Sequence, residues 1–222
     1  MSTSVNDPAP ESPEAPVPLG ERAYTAIRDL VITLEIPPGA VINEERLSRR
    51  LGIGRTPVRN AIKRLETERL VAVFPRRGTF ATEINITDHA LIADVRRELE
   101  GLAARRAAQR ATPRDRADLA RLRDGVAEHG SAPESVMRLD TEVHRALYRA
   151  TRNAYLESTL GQYYNHALRI WYLFLDRLPD VGAHVAEHRP LLDAVVSGEA
   201  ETAHALAVEH VNAFERTVRD LI

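Results

Sequence analysis

Asp140 and His144 stand four residues apart in the stretch DTEVHRAL. On a helix that spacing stacks a carboxylate and an imidazole on one face. Val136, Leu139, Val143 and Leu147 form an apolar stripe on the same segment, so the pair lies on or beside a core-facing surface. A carboxylate turned toward a core is costly unless it is paired or bound to a metal. Two more histidines share that character. His188 adjoins the apolar face of Val185, Leu192 and Val195, and His210 falls between Leu206 and Phe214. One aspartate and three histidines suit a divalent ion, zinc foremost and nickel or manganese after it, with coordination positions left open. For any single histidine on an apolar face, a hydrogen-bonded core residue is the commoner outcome. His184, one turn before His188, is the rival ligand. His166 has an ambiguous face, and His89, His129 and His204 read as surface residues.

A second constellation is basic. Arg55, Arg59 and Lys63 recur every four residues opposite Val58, Ile62 and Leu65. They form one stripe on a helix of the size that enters the major groove. Arginine there bonds a guanine edge or a phosphate. Thr56 adds a hydroxyl at the helix start, where free N–H groups favour phosphate. Arg76, Arg77 and Gly78 follow at a hairpin tip, within reach of a neighbouring groove or backbone. A solvated charged face is the ordinary meaning of an isolated basic helix. Here the stripe has a helix and tight turn before it and a hairpin with two arginines after it, which favours DNA.

The elements that must position these groups follow from periodicity and punctuation. Helices are expected over 20–34, 43–51 (Asn43 as N-cap) and, after the tight turn Gly52-Ile53-Gly54, from Thr56 as N-cap with Pro57 first in the helix, to about Glu68. A two-stranded hairpin is expected over 71–74 and 79–82. From residue 87 the pattern is all helical, near 87–110, 113–129, 133–151, 153–177, 181–197 and 199–221. Helix-start residues are Thr87, Thr112-Pro113, Ser131 to Pro133 and Asn153, with stops at Gly130 and Gly198. The fold is therefore expected to be mainly α: a winged helix-turn-helix over 19–83 and an all-α antiparallel bundle over 84–222, behind a Pro- and Glu-rich tail at 1–18 read as disordered.

Composition agrees. The 222 residues carry a net charge of −2, but residues 20–83 hold 12 basic against 8 acidic side chains, and residues 84–222 hold 18 against 21. A basic segment joined to a mildly acidic one suits a DNA module carried by another domain. There is no cysteine, which excludes disulfides, thiol catalysis and zinc–cysteine modules. Lys63 is the only lysine and belongs to the basic stripe, which leaves none for Schiff-base chemistry. The N-terminus lacks the basic and apolar regions of a signal peptide, and no apolar run is long enough for a bilayer. A cytoplasmic, nucleoid-associated protein without a membrane partner is expected.

The stretch LGIGRTPVRNAIKRLETERLV followed by PRRGTFA resembles the winged helix-turn-helix of the GntR family of bacterial regulators. With an all-helical C-terminal half it resembles the FadR-like subfamily, whose effector domain is called FCD. The resemblance assigns DNA contact to Arg55, Thr56, Arg59 and Gly78. Gly54 and Asn60 depart from it, standing where Ser or Thr and Glu are usual. Glu45 fills a position that is basic in some relatives. DTEVHRAL, Asn153, EHRPLLDAV and the final EHV are similar to the metal-binding branch of FCD domains, whose ligands match Asp140, His144, His188 and His210. The resemblance further implies a homodimer on a palindromic operator and an organic-acid effector at the metal. Arg96, beside Val95 and Leu99, and Arg169, beside Ile170, are the arginines expected to face that cavity and pair with the anion. Two other functions are weighed against this regulator, which is expected to be a repressor and not an enzyme. A metal-dependent hydrolase needs a general base. Glu187 beside His188 and Glu142 near Asp140 point about 100° or more away from those ligands. A structural DNA-binding protein without effector would carry the metal only as a brace.

Overall fold

The computed structural model describes residues 16–128, 132–177 and 181–221. The tail expected at 1–18 therefore lies almost wholly outside the described residues, as do His129, Gly130 and Ser131.

The first module is α1 (Leu19–Ile32), β1 (Val41–Ile42), α2 (Glu44–Leu51), α3 (Arg55–Thr67), β2 (Val71–Phe74) and β3 (Gly78–Ala81). The helix α1 ends two residues before the expected position, and Leu34 turns the chain with a left-handed backbone, φ 62°. Asn43 caps α2 as expected, its side chain accepting from the Arg46 N–H at 2.9 Å. Gly52 closes that helix at φ 63°, a conformation that costs glycine least.

The start of α3 corrects the expectation. Gly54 is the N-cap, in extended conformation and with no side-chain cap, and Arg55 is already helical. Thr56 thus sits inside the first turn. Pro57 is tolerated there because the first N–H groups of a helix lack intrahelical partners wherever in that turn proline falls. Val58, Ala61, Ile62 and Leu65 face inward, each no more than 3% exposed.

The wing has three strands, in the order β1-β3-β2 and all antiparallel. Val41 pairs with Phe80, and Phe74 with Gly78. Two residues of β1 are too few for a periodic signal, which is why a two-stranded hairpin was the expectation. At the tip Gly78 takes φ 109° and Arg76 φ 66°.

The second module contains α4 (Asp88–Arg110), α5 (Pro113–Glu128), α6 (Pro133–Ala150), α7 (Ala154–Phe174), a 3-10 turn (Leu175–Arg177), α8 (Val181–Ala186), α9 (His188–Ser197) and α10 (Ala200–Arg219). Thr112 and Asp115 form a reciprocal cap at the start of α5. Asn153 caps α7. The single helix expected over 181–197 is broken at Glu187, a turn residue between α8 and α9. Two separate hydrophobic cores result, one in each module. Ile32 at the end of α1 packs into the helical one.

Helix α10, which carries His210, packs along α4. Gly101 lies at that contact, and a Cβ there would come within 2.6 Å of the His204 ring and 2.9 Å of Val208. Half-buried His204 thus packs between helices and is not a free surface residue. Gly101→Ala is expected to destabilise by roughly 1–2 kcal/mol, overpacking outweighing the gain in helix propensity. A thermal melt showing equal or higher stability would count against a tight crossing.

Candidate metal centre and nucleic-acid interface

Asp140 and His144 project from α6, His188 from the first turn of α9 and His210 from α10. Three helices thus bring one ligand atom from each residue to within 4.8 Å of one another. All four are buried, at 5%, 3%, 0% and 5% exposure. His188 Nε2 donates to Asp140 Oδ1 at 2.7 Å, and His144 Nε2 lies 3.8 Å from the same oxygen.

Burial sets the protonation states. It favours the neutral rings of His188 and His210, whose pKa values fall below the usual histidine range. His210 is lowered further by the neighbouring His184 and His188. Burial alone would raise the Asp140 carboxyl, but His144 and the hydrogen bond from His188 hold it well below the carboxylate range. Neutral rings at His188 and His210 beside the ionised Asp140 are what a divalent ion requires of those ligands.

A further shell holds the ligands in place, and sequence reasoning missed it. Tyr164 of α7 donates to Asp140 Oδ2 at 2.7 Å. Glu187, at the α8–α9 break, lies 3.0 Å from His210 Nδ1 and so accepts its proton, leaving Nε2 as the free nitrogen of that ring. Glu100 of α4 lies 3.5 Å from His144 Nδ1 and accepts from Tyr148 at 2.6 Å. Such partners fix ring orientation and tautomer. Glu187, read from the sequence as a helical neighbour of His188, lies instead in the turn between α8 and α9. What the sequence could not show is that it points at His210.

His188 Nδ1 is buried without a hydrogen-bond partner. The set of donors therefore fits a divalent cation: four ligand atoms of the right chemistry, three of them oriented from behind.

Histidines outside the four fall as follows. His184 is stacked on His210 at 4.2 Å between ring centroids and shares Glu187 with it. His184, Glu187 and His210 form a second, overlapping group of metal-capable atoms. His89, expected at the surface, is 3% exposed because it packs edge-on against Phe214. His166 turns to the winged module, its Nε2 donating to the Glu68 carbonyl at 2.8 Å.

The two arginines expected in the cavity separate. Arg96 is 3% exposed and donates twice to Glu100, one residue behind His144. Arg169 is a correction. Its guanidinium is taken up by Thr82 of the winged module, at 2.9 Å to Oγ1 and 2.6 Å to the carbonyl, and not by the cluster. The neighbours Ile170 and Trp171 place its helix but not its face.

In the winged module Arg55, Thr56, Arg59 and Lys63 are exposed along α3, and Arg76, Arg77 and Gly78 are exposed at the wing tip. Two acids from the first turn of α2 hold the arginines: Glu45 lies 3.1 Å from Arg55, and Glu44 accepts from Arg59 Nε at 3.1 Å.

Comparison with known proteins fits this geometry. Residues 19–81 match the profile "Bacterial regulatory proteins, gntR family", and residues 91–213 match the FCD domain. An HTH-type transcriptional regulator from an unstable DNA locus of Streptomyces ambofaciens is 31% identical over 86% of this chain and 80% of its own. A probable D-xylose utilization operon transcriptional repressor of Paenarthrobacter nicotinovorans is 28% identical over 85% of both chains. Escherichia coli McbR/YncC shares the fold at TM-score 0.78 and 20% identity, over 92% of this chain and 99% of its own. With its winged helix-turn-helix, helical FCD domain and these relatives, the chain belongs to the GntR family and is a DNA-binding transcriptional regulator, not an enzyme.

Proposed function

We propose that this regulator is a FadR-like repressor. Its homodimer binds an inverted-repeat operator through residues 19–83. Its helical module, residues 84–222, binds a small organic acid on a divalent ion, zinc foremost and nickel or manganese next. Asp140, His144, His188 and His210 hold the ion. The effector's carboxylate takes the ion's remaining positions, with Arg96 as the nearest cation. The protein works in the cytoplasm at the nucleoid and needs no membrane. Among the described residues no helix is long and apolar enough to cross one.

The observation that carries this reading is the buried convergence of four ligand groups from three helices, backed by Tyr164, Glu100 and Glu187. The same shell supports a route to DNA. Tyr148 and Tyr164, bonded to Glu100 and Asp140, also wall a cleft of 370 Å³ whose opposite side is Tyr24 and Arg28 of α1. An acid that redirects Asp140 or Glu100 therefore moves side chains that face the winged module. Coupling of this sort is typically about 1–3 kcal/mol.

The test is a titration of labelled inverted-repeat operator with protein, with and without metal and citrate. A change in operator affinity of about five- to 150-fold supports the reading. No response to any of a series of organic acids would leave the metal a brace. A local readout exists as well. Trp171 is the only tryptophan, lies 4.6 Å from His184 and stacks on Phe214 at 4.9 Å. Nickel is expected to quench its fluorescence with one-site saturation, and the quenching should vanish in His210→Ala. Metal uptake seen by calorimetry without quenching would put the ion elsewhere.

A further inference from the structure

A second cavity, of 630 Å³, lies between the two modules. It is walled by the C-terminal end of α3, the segment after β3, the first turns of α4 and one face of α7. It contains none of the four metal-capable residues.

Arg169 lines it and is only 2% exposed. Its hydrogen bonds go to neutral oxygens of Thr82, its Nε is buried with no partner, and among the described residues no carboxylate lies within ion-pair distance of it. Arg96, equally buried, shows the ordinary solution, a direct pair with Glu100 at 2.8 Å. A buried guanidinium without an anion is unfavourable, and binding one from solution relieves it.

Two of the three acids around the cavity are engaged elsewhere. Glu68 accepts from Tyr24 and Arg64. Asp88 accepts from Asn85. Glu83, the third, acts on Arg169 through its charge but lies beyond ion-pair distance of it. Exposed Arg69 has no ion pair among the described residues and adds positive charge at the α3 end. The α4 and α7 walls add an apolar patch of Ile92, Val95 and Ile170, beside polar Gln162, Tyr163 and His166. The volume lies in the range of small-molecule sites.

We propose that this cavity is a binding site for a small monocarboxylate with an apolar body, separate from the metal cluster. The carboxylate takes N–H groups of Arg169 that Thr82 leaves free, and the body packs on Ile92, Val95 and Ile170. The cavity also borders the C-terminal end of α3 at Thr67 and Glu68, so an occupant lies beside the DNA-reading helix without passing through the metal. The site does not depend on the metal-effector reading.

Benzoate is the probe, with its uncharged isostere benzamide as control, on the full-length protein. Benzoate is expected to raise the melting temperature saturably in the wild type and equally in His188→Ala, and benzamide is expected not to. Arg169→Gln should weaken apparent benzoate affinity about tenfold or more, as expected when a charge-assisted pair is removed. Should that variant not fold, exposed Arg69→Glu serves in its place, with a several-fold loss expected. A shift lost in His188→Ala but kept in Arg169→Gln would put the acid on the metal, which overturns this site and leaves the metal-effector reading standing. No saturable shift in the wild type, or an equal shift with benzamide, overturns it outright.

Discussion

Removing divalent metal with a chelator is expected to lower the melting temperature by about 8–16 °C. An ion present at a thousand times its dissociation constant stabilises the native state by about 4 kcal/mol, and each kcal/mol moves the melting point of a chain of this size by about 2–4 °C. The sign follows from the site. With no ion, Asp140 keeps one hydrogen bond from His188 and one from Tyr164, so the protein still folds. What it loses is binding energy available only to the folded state, because the four ligands come from three helices. Asp140→Asn is the sharper form of the experiment. The amide keeps the volume but removes the only carboxylate of the set. The variant should melt near the metal-free protein and show no response to chelator. Tyr164→Phe should fall between, with metal affinity lowered about ten- to 100-fold, since it removes only the group that orients Asp140. A chelator that strips the ion, as judged by metal analysis, yet leaves the melting curve of the wild type in place would defeat the reading.

Those same residues show what the sequence could and could not carry. Asp140 and His144 were legible because helical spacing ties them to one face. His188 and His210 were legible as polar groups on apolar stripes. Tyr164, Glu100 and Glu187 were not, because each acts across a helix–helix contact: 24 residues separate Tyr164 from Asp140, and 23 separate Glu187 from His210. Arg169 failed for a related reason. Periodicity identifies the helix, but α7 packs on both modules, so a residue beside apolar neighbours can face either one. The start of α3 slipped because Gly54 offers no side chain, and a capping argument passes over it in favour of Thr56. Length hid β1, and His89, packed edge-on against Phe214, shows that a polar residue in a first turn is not thereby at the surface.

The recognition surface leads to the other large effect. Arg59→Ala is expected to weaken operator binding by about 1–3 kcal/mol if the guanidinium reads a base, and Arg55→Ala by a similar amount. The two side chains are one helical turn apart and pair with adjacent acids of the α2 start, so their effects should couple in the double variant. Salt dependence separates the two possible roles. Removing an arginine that neutralises one phosphate should flatten the slope of log K against log salt by about 0.9, whereas removing one that reads a base lowers affinity for the operator and leaves the slope. Glu45 and Glu44 sharpen the test. They hold Arg55 and Arg59 at the exposed face of α3 in the absence of DNA, and their own charges repel phosphate. DNA must therefore displace a carboxylate from each arginine. Glu45→Gln should accordingly tighten binding to any duplex, with less gain for the operator than for random sequence, so that specificity falls as affinity rises. If Glu45→Gln instead weakens binding to both, the acid positions Arg55 for DNA, and the cost of its negative charge is the smaller effect.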